Sequence, residues 1–177
     1  MATFGVAITI PQPWAQRLSA ARHTVGDPMA RAIPPHVTLL PPTEVTDTEV
    51  PAFTSHLEDV AARHPNFSMI LAGTASFRPV SPVVFVQVSE GISSCEQLER
   101  AVRSGPVERR LDFNYHPHVT IAHHVGDHAL DLAAHLCADF RAEFAVGGFD
   151  LYTQGIDQVW RPQRHFTLSG EATGARP

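Results

Sequence analysis

Two short segments of this chain carry the same chemistry-bearing pattern. Pro35-His36-Val37-Thr38-Leu39 stands early and Pro117-His118-Val119-Thr120-Ile121 stands late. A run of Val, Thr, Ile and Leu favours a strand, and Pro is tolerated at a strand's first residue. Side chains alternate along a strand, so His36 and Thr38 share one face while Val37 and Leu39 share the other; His118 and Thr120 stand likewise against Val119 and Ile121. Two residues of rise separate each His from its Thr by about 7 Å, which lets both reach one bound group of phosphate size.

Unperturbed imidazole titrates near pH 6.5, so one of two facing histidines can be neutral while the other is protonated. The neutral ring takes a proton from an attacking water or hydroxyl, and the charged ring gives one to the leaving oxygen. Threonine hydroxyls donate to the oxygens that gather charge between them. A phosphodiester fits this layout, with one attacking side, one leaving side and two non-bridging oxygens. The scheme calls for no metal and no other cofactor.

These segments must be positioned by the elements around them. Phe4–Ile10 is a predicted strand, followed by a helix with Trp14, Leu18, Ala21 and Val25 on one stripe and ended by Gly26-Asp27-Pro28. Pro41-Pro42 is expected to close the first His-Val-Thr strand. Thr46 and Glu49 form a capping box for a helix carrying Val50, Phe53, Leu57 and Val60. Asn66–Phe77 and Val83–Ser89 read as a hairpin about Arg78–Pro82. A second capping box, Ser93-Ser94-Cys95-Glu96, opens a helix that Gly105-Pro106 stops. After the second His-Val-Thr strand, Asp127 is the expected cap of a helix with Leu130, Ala133, Leu136, Cys137 and Phe140. Phe144 and Val146 are out of phase with Phe149 and Leu151 across Gly147-Gly148, which suggests a bulge.

The two halves repeat an order of His-Val-Thr strand, helix, long strand, turn and strand. That order predicts an α+β fold, duplicated and two-lobed, with mainly antiparallel sheets lining a central cleft and helices outside. Residues 1–170 are expected to form this single two-lobed domain, with 171–177 as a C-terminal extension.

The chain has 177 residues, is 44% hydrophobic and 18% charged, and carries a formal charge of −5, a composition typical of globular domains. Every basic residue is Arg. Net acidity argues against an extended nucleic-acid surface or an anionic membrane as partner, although Arg100, Arg103, Arg109 and Arg110 could form a local patch or a solvated face. No basic leader precedes the first apolar run, and no run approaches the roughly 20 apolar residues that span a bilayer. Two cysteines, Cys95 and Cys137, read as buried thiols of a cytoplasmic protein. A monomer is the expected state. No serine-hydrolase elbow, P-loop or dinucleotide fingerprint is present.

The paired His-Val-Thr-Leu and His-Val-Thr-Ile segments, on a duplicated α+β framework running from Phe4 to about Leu168, resemble the two-histidine phosphoesterase superfamily. Within it the chain is most similar to the bacterial 2′-5′ RNA ligase/cyclic phosphodiesterase-like branch. The resemblance implies two sheets about a V-shaped cleft. It also implies metal-free opening of 2′,3′-cyclic phosphodiesters on a small nucleotide or short RNA end, or the reverse 2′-5′ ligation. Carried over, His118 is the base, His36 the acid, and Thr38 and Thr120 the phosphate holders. Phe85 occupies the position of a family aromatic. His123 departs from the pattern, since relatives often carry Arg shortly after the second motif, and this puts recognition of polynucleotide ends in doubt.

Further candidates for substrate binding are Arg78, at the expected hairpin tip, and Tyr152; Trp160 could also stack on a base. Two other readings remain open. The cleft could hold a phosphorylated ligand or RNA end without turnover. Alternatively, His116, His123 and His124 could join a zinc site, though the early copy repeats only one His. Alternation places His116 on the face of His118, and His123 on the opposite one.

Overall fold

The computed structural model describes residues 1–107 and 109–171. The expected extension therefore lies outside the described residues except for Glu171. In chain order the elements are β1 (Ala2–Thr9), α1 (Trp14–Thr24), a 3-10 turn (Pro28–Arg31), β2 (His36–Val45), α2 (Val50–Arg63), β3 (Phe67–Ser76), β4 (Val84–Glu90), α3 (Ile92–Arg103), β5 (His118–Ala122), α4 (Asp127–Leu136), β6 (Arg141–Val146), β7 (Gly148–Gln154) and β8 (Trp160–Thr167). The strands form two four-stranded sheets, β2-β1-β7-β8 and β5-β4-β3-β6, and each neighbouring pair is antiparallel. The fold is α+β, as the pattern of elements predicts.

Each His-Val-Thr segment is the edge strand of its own sheet, and β2 and β5 lie against each other. Alternation holds in both. Val37, Leu39, Val119 and Ile121 are buried at 0–1% exposure, while His36, Thr38, His118 and Thr120 are half-buried on the other face. The apolar faces join one core shared by both sheets, with Phe53 and Leu57 from α2, Met69 and Leu71 from β3, Leu98 from α3 and Leu130 from α4.

The lobes are not consecutive halves of the chain, contrary to the expected repeat. The first sheet is built from both ends, β1 and β2 with β7 and β8, and the second from the middle. The unit that recurs starts one strand and one helix earlier than the motifs suggest: β1-α1-β2 and β4-α3-β5. The helices cross over, α1 packing against β5 and α3 against β2.

Four local expectations are corrected. Pro41-Pro42 does not end β2, which continues to Val45. On an edge strand the missing N–H groups can face away from the ladder, and the register against β1 slips there, from Phe4↔Thr43 to Val6↔Leu40. Gly147 marks a change of sheet rather than a bulge: β6 pairs with β3, whereas β7 pairs with β1 and β8, so each strand turns its apolar face to a different sheet's interior. Ser93-Ser94-Cys95-Glu96 lies inside α3, which starts at Ile92 behind Gly91 in the left-handed region (φ 92°). A Cβ on Gly91 would stand 2.8 Å from the Ser68 carbonyl oxygen, so both backbone and space select glycine. Finally, Asp127 is the first residue of α4 and makes no cap bond, while Leu136 is 46% exposed, off the buried stripe.

Leu71, fully buried on β3 within the shared core, is a sensitive position. Leu71→Ala should lower unfolding free energy by about 2–5 kcal/mol, read from the guanidinium midpoint at unchanged slope.

Candidate active site

The backbone fixes both motif imidazoles in the same way. His36 Nδ1 lies 2.8 Å from the Pro34 carbonyl oxygen, and His118 Nδ1 lies 2.7 Å from that of His116. A carbonyl only accepts, so Nδ1 carries the proton and donates in each ring. The neutral form of each then presents a bare Nε2 lone pair. Among the described residues neither Nε2 has a hydrogen-bond partner, nor does the hydroxyl of Thr38 or Thr120.

Two adjoining cavities open on this face. One, of about 190 Å³, is lined by His36, Thr38 and Thr120 together with Arg22, His123 and Tyr152. The other, of about 300 Å³, is lined by His118, His116 and Tyr115, with Arg109 and Arg110 on its wall. Thr38 belongs to both and stands where they meet. The backbone of the same residue is clasped from the second motif's approach, since Tyr115 donates its hydroxyl to the Thr38 carbonyl oxygen at 2.9 Å. The walls of the smaller cavity are largely apolar: Ala7, Tyr152 and Trp160 form a small buried cluster with Met29 and Ile33.

The two rings differ in surroundings. Burial is the main cause that pushes His36 down to about 4; the Arg22 guanidinium and a charged His118 lower it further, against the opposing bond to Pro34. His118 is also lowered, chiefly by burial and then by His116, with its backbone bond opposing. Phe77 and Phe85 wall it in, each ring centroid 5.0 Å from the imidazole centroid.

A family model described as the 2′-5′ RNA ligase superfamily matches residues 10–158. The chain belongs to this superfamily. A Bacillus licheniformis protein with a provisional phosphoesterase name is 28% identical over 144 residues, 80% of this chain and 85% of the relative. Among solved structures, TT0787 of Thermus thermophilus matches with a TM-score of 0.69 at 21% identity, covering 96% of this chain and 100% of its own. E. coli LigT complexed with 3′-AMP matches with a TM-score of 0.67 at 18% identity, covering 95% and 98% respectively. At these identities the two structures establish the shared fold.

Within this superfamily member, the residues singled out in the sequence separate into four groups. His36, Thr38, His118 and Thr120 meet at the joined cavities, and Tyr152 lines the smaller one with its hydroxyl 2.5 Å from Thr9 Oγ1. Arg78 does not reach them. Its guanidinium pairs with Asp131 at 2.7 Å and Asp127 at 3.7 Å on α4, because the hairpin tip folds onto that helix. Phe85 is 2% exposed and supports His118 from behind rather than facing open space. His123 reverses its expected side: β5 ends at Ala122, and the turn that follows, with His124 at φ 58°, swings the His123 ring into the smaller cavity. No group of three His, Cys, Asp or Glu comes together to hold a metal ion among the described residues. No helix among them is long and apolar enough to cross a membrane.

Sequence reasoning missed the carbonyls of Pro34 and His116, the Tyr115 clasp and Arg22. The first had a signal, since both motifs place their His at the start of a strand directly after Pro, where the turning backbone can offer a carbonyl two residues back. Arg22 had none, because its partner Asp27 and the cavity are assembled by the loop after α1.

Burial of a neutral His36 also sets a stability slope. Between pH 6.5 and about 4 the unfolded chain binds a proton at this site that the folded chain does not, so its contribution is complete above 6.5 and lost as pH falls through 4. The loss should be on the order of 2 kcal/mol once partial exposure is allowed for. His36→Gln should remove that part of the slope in guanidinium melts at pH 7 and pH 4.5; an unchanged slope would contradict a buried neutral ring.

Proposed function

We propose that this protein hydrolyses 2′,3′-cyclic phosphodiesters of a small nucleotide or short RNA end by a metal-independent His/His mechanism. The observation that carries the reading is the pairing of two imidazoles of one tautomer, each with a free Nε2, beside two unbonded threonine hydroxyls at the junction of two cavities. Superfamily membership supports phosphoester chemistry, and the binding of 3′-AMP by LigT supports a ligand of nucleotide size.

The surroundings favour His36 as the base, the reverse of the assignment drawn from resemblance alone. Desolvation and Arg22 keep the His36 Nε2 lone pair free of a proton down to about pH 4, which leaves the proton-donor role to His118, whose shift comes chiefly from burial. Water attacks phosphorus and passes its proton to His36 Nε2. The ring P–O bond on the opposite side breaks, and the departing ribose oxygen takes the proton from His118 Nε2. The product is a phosphomonoester, and the two rings exchange protons with solvent before the next turn. A ribose 5′-hydroxyl in place of water would give a 2′-5′ link by the same transfers. The Thr38 and Thr120 hydroxyls donate to the non-bridging oxygens. Buried free cysteines, with burial pushing Cys95 up to about 12, fit a cytoplasmic setting in which thiols stay reduced. A monomer suffices, since the four site residues come from one chain.

Either His36→Ala or His118→Ala should lower kcat/KM on a 2′,3′-cyclic nucleotide about 10²–10⁴-fold, with EDTA leaving the wild type unaffected. Saturable ligand binding with no product would identify a binding module instead, and EDTA inactivation would exclude the metal-free scheme. The pH profile should be bell-shaped: kcat/KM climbs as His36 loses its proton near pH 4 and declines once His118, itself below its ordinary 6.5, is deprotonated. An optimum above pH 7 would contradict the assignment.

A further inference from the structure

Arg22 is almost wholly withdrawn from solvent on α1, being 3% exposed, yet it lines the smaller cavity with His36, Thr38 and Thr120. Its Nε donates to Asp27 Oδ2 at 2.9 Å and its Nη1 to the Ile33 carbonyl oxygen at 3.0 Å. Asp27 is held in turn, its other oxygen accepting from the Met29 backbone N–H at 2.9 Å. The remaining nitrogen, Nη2, has no partner among the described residues. No buried side-chain nitrogen or oxygen is left unsatisfied among them, so Nη2 keeps some accessible surface, and the cavity that Arg22 lines is the space beside it.

Sequestering an ion pair costs desolvation that packed apolar side chains would avoid. The arrangement uses what distinguishes arginine from lysine: a planar fork that can be fixed along two edges and still present a third. We propose that Arg22 is a substrate-binding residue whose Nη2 takes a non-bridging oxygen of the phosphate held between Thr38 and Thr120. The inference rests on the reading of this cleft as a phosphodiester site and adds a charged contact from outside both His-Val-Thr segments. The influence of Arg22 on the titration of His36 places the guanidinium within electrostatic reach of the reacting group. A charge-assisted bond there would also draw negative charge away from phosphorus during attack.

The test is calorimetric titration of the whole protein with inorganic phosphate, which needs no turnover. Arg22→Met alone leaves Asp27 buried without a counter-charge and could fail to fold. Arg22→Lys keeps the charge but loses the fork, and Arg22→Met with Asp27→Asn removes both charges; circular dichroism and Tm establish that each folds. The wild type should bind phosphate saturably, both variants should bind at least about tenfold more weakly, and Arg141→Gln, on an exposed pair in the far sheet, should match the wild type. Affinities within about twofold of wild type in the folded Arg22 variants, or no phosphate binding by the wild type, would overturn the proposal. Arg22-dependent phosphate binding in a protein that opens no cyclic phosphate would sustain this inference while removing the proposed hydrolysis.

Discussion

The cleft depends on two sheet edges being brought together. A free edge strand ordinarily invites pairing with another chain. In this fold β2 and β5 cover each other's approach and turn their polar faces, rather than their backbone ladders, into a shared space. The meeting is enforced from several directions. One apolar core runs behind both strands, each crossing helix packs on the opposite sheet's edge, and the Tyr115 hydroxyl ties the second motif's approach to the backbone of the first. The first sheet is woven from both chain ends, so completing it requires β7 and β8 to return beside β1, while the second sheet is built from the middle of the chain.

Within that frame, near-identical local geometry is put into unequal electrostatic surroundings. Both imidazoles are locked in one tautomer by a carbonyl two residues upstream, so both aim the same nitrogen at the cleft. The difference lies beyond the repeat. His36 has the Arg22–Asp27 pair in its cavity, whereas His118 is boxed by Phe77, Phe85 and His116. The two motifs present equivalent imidazoles, and residues outside the motifs, Arg22 on α1 and Phe85 on β4, break that equivalence; under the proposed mechanism this inequality separates the base from the acid.

Much of this was legible because period-two alternation and a repeated motif are local properties. Val37, Leu39, Val119 and Ile121 behind His36, Thr38, His118 and Thr120 could be assigned from spacing alone, as could the α+β class. The failures share a cause: they depend on which strand lies beside which. The phase change at Gly147 looks identical whether a strand bulges or leaves its sheet. Pro41-Pro42 is compatible with a strand only at an edge, and edge position is a property of the assembled sheet. Strand alternation carried one residue past the end of β5 put His123 on the wrong side. Arg78 reads as a free cation until α4 supplies Asp127 and Asp131.

The central claim, that both motif imidazoles act on one bound anion, is tested most directly by two-bond proton–nitrogen correlation spectra of histidine-labelled protein during titration with inorganic phosphate. The account predicts that His36 and His118 are both protonated at Nδ1 in the free protein. It also predicts that their Nε2 resonances shift together along one saturation curve. Resonances that respond at different phosphate concentrations, or a response from only one ring, would contradict it.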